Sequence, residues 1–246
     1  MKPNTFSRPD GRKLDQLREI SFVPDFISYP EGSVLVTWGG TRVLCNLTIQ
    51  DNVPAWMAGR GRGWMTAEYA LLPRSTHTRT PRETMGLKGR TQEIRRLIGR
   101  SLRMAVDLDK IGERTLLLDC DVIQADGGTR VASVTGGYVA LALGLKPLIQ
   151  SGEISQDALQ PPIAAVSVGI VQGHPILDLN YAEDSQAEVD LNLVMTSEGQ
   201  IVEIQGTAEG KPFSKKALDK MLALSEKGIN EIIALQKRLL VQQSFL

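Results

Sequence analysis

Apolar and polar residues alternate on either side of a Gly-Gly-Thr-Arg turn (39–42): SVLVTW (33–38) leads into it and VLCNLTI (43–49) leaves it, which predicts a β-hairpin. The same period of two runs through TLLLDCDV (115–122), placing Leu116, Leu118, Cys120 and Val122 on one side. AAVSVGIV (164–171) and ILDLNY (176–181), separated by a QGHP turn, predict paired strands. EVDLNLVMT (188–196) and IVEIQGTA (201–208), joined by SEGQ, predict a second hairpin.

Helical spacing takes over in three places. Over 91–108, Ile94, Leu97, Ile98, Leu102, Ala105 and Leu108 share one face, with Thr91 placed to cap, Glu93 in the first turn and Gly112 to stop the helix. Residues 131–149 form a small-residue helix ending near Pro147 and Gly152, and Ser214 to about Gln243 carry two helical patterns separated near Lys227-Gly228. Residues 51–89 show little periodicity, and 71–89 read as a long exposed loop, a feature that is often functional in a compact domain. The order of elements predicts one mixed α/β (α+β) domain over 1–246, with helices packed on sheets.

Composition alters this picture little. At 246 residues, 42% hydrophobic and 23% charged, the chain has the make-up of an ordinary globular protein with a real core. The first 17 residues lack the apolar stretch of a signal peptide, and no segment approaches the ~18 apolar residues of a membrane span. A cytoplasmic protein without a membrane partner is expected. Cys45 and Cys120 lie in strand-like runs as buried reduced thiols, and two histidines and two cysteines spread along the chain make no zinc pattern.

Charge changes it more. The net charge of zero hides a basic block from Arg60 to Arg103, broken only by Glu68, Glu83 and Glu93, and an acidic block from Asp178 to Asp190 with no basic residue. Such contrast suits RNA or polyphosphate on one side and a metal ion on the other.

The sharpest chemistry lies at 115–134, where a predicted strand runs into Gly127, Gly128, Thr129 and Arg130 and a helix begins at once. Glycines ahead of a helix N-terminus present backbone N–H groups to an anion, and the threonine hydroxyl and guanidinium add to the cradle. The GGTR string at 39–42 lies between strands and reads as turn chemistry instead. Arg90, at the mouth of the 91–108 helix, marks a second helix start suited to an anion. In EDSQAEVD, Asp184 and Asp190 are six apart, so a strand through them would put both on one face. An anion cradle with a carboxylate pair suggests phosphoryl chemistry with a divalent cation. Arg95, Arg96, Arg100 and Arg103 fit an RNA path, a subunit contact or solvent equally. His77 reads as a loop residue without an acid–base partner, and Asp119 and Asp121 fall outside the site.

These motifs together resemble the ribonuclease PH family of bacterial phosphate-dependent 3′-to-5′ exoribonucleases. The resemblance runs through RPDGR (8–12), EGSVLV (31–36), GWMTAEYALLPRSTHTR (63–79), GRTQEIRRLIGRSLR (89–103), LDCDVIQADGGTR (118–130), AAVSVGIV (164–171), EDSQAEVDLNLVM (183–195) and EIQGTAEGKPFS (203–214). It implies a fold of the ribosomal protein S5 domain 2-like type and a homohexamer built as a trimer of dimers. It implies trimming of tRNA precursors and other RNA 3′ ends by inorganic phosphate with release of nucleoside diphosphates, and nucleotide addition in reverse. By the same resemblance Arg90, Gly128, Thr129 and Arg130 hold phosphate, Asp184 and Asp190 carry the catalytic Mg²⁺ (or Mn²⁺) site, and Arg74, Arg79 and Arg82 meet tRNA. Asp184 is also a candidate proton donor. Leu87 and Lys88 stand where relatives are often glycine-rich, and Gly40 where Asp or Asn is common. The alternative is a non-catalytic RNA-binding subunit of an exosome-like ring, which would be expected to lose a cradle arginine or an aspartate.

Overall fold

The computed structural model describes residues 6–243. Its first sheet contains β1 (Ile20–Pro24), β2 (Gly32–Trp38), β3 (Thr41–Gln50), β4 (Trp64–Leu71) and β5 (Thr115–Gln124), in the order β1-β2-β3-β5-β4. Only the β4–β5 pair is parallel. The second sheet contains β6 (Ile163–Val171), β7 (His174–Leu177), β8 (Val189–Thr196) and β9 (Ile201–Ala208), antiparallel in the order β7-β6-β8-β9. Among the described residues four α-helices and a 3-10 turn at Gln156–Ala158 complete the fold: α1 (Gly89–Arg103), α2 (Thr129–Gln150), α3 (Tyr181–Asp184) and α4 (Lys215–Gln242).

Helix α2 lies between the two sheets, against β2 and β3 on one side and β6 on the other. Covered on all sides, it is buried from Thr129 to Leu145 almost without a break and has no polar stripe. By length and composition alone it could cross a membrane. The sequence hides this because Ser133, Thr135, Gly136 and Gly137 interrupt the apolar run. The helix approaches β2 so closely that a Cβ on Gly32 would collide with the Ala140 carbonyl, so glycine is required there. Helix α1 packs on β4 and α2, α4 packs on β6, β7 and β8, and one apolar core runs continuously through both sheets.

The mixed architecture and the strands β2, β3, β5, β8 and β9 follow the sequence pattern, and β6 forms where a strand is expected, although it is buried along its whole length between α2 and α4. Elsewhere the structure departs from the pattern. A strand, β4, crosses the stretch read as aperiodic. Met65, Ala67 and Tyr69 point inward, but Thr66, Glu68 and Ala70 between them give too little contrast to announce it. Helix α1 begins two residues before Thr91, which is buried and donates its hydroxyl to Glu83; Glu93 lies beyond the first turn, and the helix stops at Met104, well short of Gly112. Helix α2 continues through Pro147 to Gln150.

ILDLNY is not one strand. It leaves the sheet after Leu177, Asp178 adopts φ 56°, and Asn180 caps α3. Helix α4 is unbroken through Gly228, where the lack of a side chain admits Leu177, 2.9 Å from where a Cβ would sit. Cys45 and Cys120 are buried, unbridged and directly opposite across β3 and β5.

Candidate active site

The glycine loop between β5 and α2 is built as its sequence suggests. Gly127 and Gly128 have φ of 78° and 70°, and Gly128 is the left-handed residue from which α2 starts. The first-turn N–H groups of α2 have no partners within the helix and face outward from its end. The GGTR hairpin turn proves to be part of this construction. The Thr41 hydroxyl donates to the Gly127 carbonyl at 2.7 Å and accepts from the Asp126 N–H at 2.9 Å. At Gly40 a Cβ would lie 2.6 Å from the Asp126 carboxylate.

A second loop, Asp178–Asp184, packs backbone to backbone on the first. A Cβ on Gly127 would sit 2.8 Å from main-chain atoms of Leu179, Asn180 and Tyr181. This loop is anchored from beneath by the N-terminal segment. Arg8 grips Glu183 with Nε and Nη2 at 2.7 Å each, and its Nη1 and Nη2 donate to the carbonyls of Leu177 and Asp178. Arg18 joins both loops. Its Nη2 donates to the Asp178 carboxylate at 2.6 Å, its Nη1 to the Asp126 carbonyl at 2.6 Å, and the Trp38 indole donates to Asp178 at 3.0 Å. Glu183 and Asn180 close a capping box on α3, so Asp184 ends a short helix whose orientation is fixed.

Above these loops lies a cleft with two adjoining compartments. One, of about 310 Å³, is lined by Tyr69, His77, Arg90, Gly128, Thr129, Tyr181 and Asp184 among others. The other, of about 530 Å³, is lined by Arg90, Glu93, Arg130, Asp190, Asn192, Gln205 and neighbours on β9. Arg90 belongs to both. The six residues read as the phosphate cradle and the carboxylate pair therefore share one cleft, but Asp184 and Asp190 meet from a helix end and a strand rather than from one strand face.

Neighbours invisible in the linear sequence complete the cleft. Arg130 Nη1 donates to Glu93 at 2.8 Å and to the Gln205 side-chain carbonyl at 3.1 Å, which orients the guanidinium and partly offsets its charge. The Tyr69 hydroxyl is 2.8 Å from that of Thr129, and burial raises its pKa. Glu83 places a carboxylate at the mouth of α1, accepting from the Lys88 N–H and the Thr91 hydroxyl, and Arg90 in the first turn lines both compartments.

Burial raises both aspartates above the ordinary carboxylate range. Arg90, Arg130 and Arg18 partly counter the rise at Asp184, and the charge of Asp184 adds to it at Asp190. Among the described residues no group of three or more His, Cys, Asp or Glu gathers to hold a metal. The acidic side chains lining the cleft's two compartments are Glu93, Asp184, Asp190 and Glu209.

Arg74, Arg79 and Arg82 are exposed on the 72–88 loop and make no ion pair among the described residues. Arg95, Arg96, Arg100 and Arg103 line a separate groove along α1 and β4. Arg95 pairs with Glu68, and Arg103 lies 4.1 Å over the Trp64 ring while donating to the Met65 carbonyl, so these two brace α1 on β4.

Comparison with known proteins decides the family. Residues 16–147 match the model of the 3′ exoribonuclease family, domain 1, and residues 161–228 match that of domain 2. The chain belongs to the ribonuclease PH family. It is 55% identical over 235 residues to a protein named ribonuclease PH from Syntrophomonas wolfei, covering 95% of this chain and 98% of that one. It is also 55% identical over 236 residues to ribonuclease PH of Bacillus subtilis, covering 95% and 96%. Among solved structures, the Archaeoglobus fulgidus exosome with RNA bound to the active site superposes with a TM-score of 0.79 at 24% identity, covering 92% of this chain and 91% of that chain. An archaeal exosome core does so at 0.76 and 23%, covering 94% and 91%. At these identities the likeness is one of fold, in agreement with the S5 domain 2-like class.

Proposed function

We propose that the cleft holds inorganic phosphate between Arg90, Arg130 and the N-terminal turn of α2 at Gly128 and Thr129, and sets it against the last phosphodiester of an RNA. The chain is a phosphorolytic 3′-to-5′ exoribonuclease. A phosphate oxygen bonds to the phosphorus, the bond to the 3′ oxygen of the preceding ribose breaks, and a nucleoside diphosphate leaves. Run backward, the same atoms add a nucleotide to a 3′ end. The observation that carries this reading is that Arg90 lines both compartments, joining Asp184 in one to Arg130 and Asp190 in the other.

The first obstacle is repulsion between an orthophosphate and an already anionic diester. Two guanidiniums and a helix N-terminus meet it, each charge-assisted contact contributing about 1.5–3 kcal/mol. Glu93 and Gln205 hold Arg130 in place before phosphate arrives, so less reorganisation remains for the reaction. Holding phosphate in line with the scissile bond supplies the proximity advantage.

Asp184 and Asp190 fit a divalent cation such as Mg²⁺ or Mn²⁺. They are two close carboxylates whose mutual repulsion a cation would relieve, with room for the water and phosphate ligands Mg²⁺ favours. When bound, the cation neutralises charge on the reacting phosphates. Ligation and proton donation compete for the same Asp184 carboxyl.

The substrates are tRNA precursors and other RNA 3′ ends, with the exposed Arg74, Arg79 and Arg82 meeting the RNA backbone. The chain works in the cytoplasm as one domain within a homohexameric trimer of dimers. Support for subunit contact comes from Ile201 and Ile204, 53% and 45% exposed on the edge strand β9. A non-catalytic ring subunit is disfavoured because both arginines and both aspartates remain. Incubating RNA with and without inorganic phosphate tests the reading. Nucleoside diphosphates formed only with phosphate support it, monophosphates mean hydrolysis, and the absence of products means a scaffold.

A further inference from the structure

The smaller compartment contains more than phosphate chemistry requires. Tyr181, the first residue of α3, is 53% exposed, and its ring stands 5.9 Å from that of His77 at a tilt of 49°. Neither side chain makes a hydrogen bond among the described residues. Leu71 and Ala125 add apolar lining, and Arg90 and Asp184 add the charged groups of the same space. An exposed aromatic pair over an apolar lining, opening toward charged groups, matches the two ends of a nucleotide.

We infer that this compartment seats the base of the RNA's 3′-terminal nucleotide, stacked on Tyr181 with His77 as the adjoining wall. The inference rests on the phosphorolytic reading of the cleft and identifies the part of the substrate that the cradle leaves unheld. The Arg90, Gly128 and Thr129 end of this space of about 310 Å³ takes the phosphate, and the end walled by Tyr181, His77, Leu71 and Ala125 is left for one planar base. With the base there, the sugar and scissile phosphate extend toward Arg90 and Asp184.

The seat takes any base. A ring face meets every base alike, and the Thr76 hydroxyl is already engaged by the Thr78 carbonyl and the Thr80 hydroxyl, which leaves it unavailable to read a base edge. An enzyme that removes successive nucleotides benefits from such indifference. Stacking also explains an aromatic residue three positions before Asp184, since the capping box that fixes Asp184 fixes Tyr181 as well.

The test compares two RNAs of equal length, one ending in a normal nucleotide and one ending in an abasic ribose with a free 3′ hydroxyl. Phosphorolysis of each is followed for the intact chain, Tyr181→Ala, Tyr181→Phe and His77→Ala. We expect Tyr181→Ala to lower kcat/KM on the base-bearing RNA by about 5- to 150-fold, the range of base–aromatic stacking energies. The abasic RNA, which has no base to stack, loses far less, and the KM for phosphate at saturating RNA stays in place. Tyr181→Phe keeps the preference for the base-bearing end, and His77→Ala reduces it. Equal losses on both RNAs, or no loss with Tyr181→Ala, overturn the base seat. If the intact chain releases no nucleoside diphosphate from the base-bearing RNA, the phosphorolytic reading itself fails and the base seat with it.

Discussion

Glu183 and Asp184 are adjacent in the chain and face opposite ways: Glu183 is 2% exposed and held by two Arg8 hydrogen bonds of 2.7 Å, while Asp184 lines the cleft. The inward carboxylate fixes the outward one. Removing Arg8 would leave the buried Glu183 only the longer pair with Arg12 at 3.5 Å, so Arg8→Met should cost on the order of 3 kcal/mol. Chemical denaturation of the two proteins measures it, and Asp184-dependent turnover should fall with it even under conditions where the variant is folded.

Arg18 and Asp178 give the fold an acid-sensitive tie. Burial pushes the Asp178 carboxyl up, but the charge and hydrogen bonds of Arg18 and the Trp38 indole outweigh it, and the pKa is lowered from 3.8. A depressed folded-state pKa stabilises the fold above the unfolded value, and this contribution is lost as pH falls through the folded one. Stability curves of the intact chain and Asp178→Asn should therefore differ at neutral pH and converge only as pH falls through the lowered value, below 3.8.

Asp190 has the opposite sign. Burial and the Asp184 charge raise its pKa, so the stability it contributes at low pH is lost as pH rises through that raised value. Asp190→Asn should melt at a higher temperature than the intact chain at neutral pH in a chelator, and lose turnover. Added Mg²⁺ should raise the melting temperature of the intact chain more than that of the variant. A variant that melts lower would contradict the assigned sign.

Arg74, Arg79 and Arg82 should govern RNA affinity rather than phosphate use. Replacing all three by alanine should weaken tRNA binding and flatten its salt dependence by about 0.7–0.9 in log–log slope per lost phosphate contact. Binding titrations across a range of salt concentrations measure this, and the KM for phosphate should remain unchanged.

Much of this molecule was legible in sequence wherever one element settled the matter. Alternation located the two hairpins and β5, and the strand–glycine–helix junction located Gly128, Thr129 and Arg130. The pattern failed where a distant partner decided. β4 is held by parallel pairing with β5 despite weak contrast, and α4 runs through Gly228 because Leu177 fills the space. Asp178 departs from the strand because Arg18, Arg12 and Trp38 claim its carboxylate. Glu93, Gln205, Tyr69 and Tyr181 carried no local signal, since each joins the cleft only through folding. The α3 start does carry a local signal: Asn180 followed three residues later by Glu183 is a helix-start signature.

The phosphate dependence of RNA shortening by the intact chain, Arg90→Ala and Arg130→Ala tests most directly the claim that these arginines hold the attacking phosphate. We expect half-saturating phosphate to rise by about tenfold or more in each variant, as loss of a charge-assisted contact of about 1.5–3 kcal/mol requires, while RNA affinity is retained. Unchanged phosphate dependence in both variants, or a loss confined to RNA binding, would contradict it.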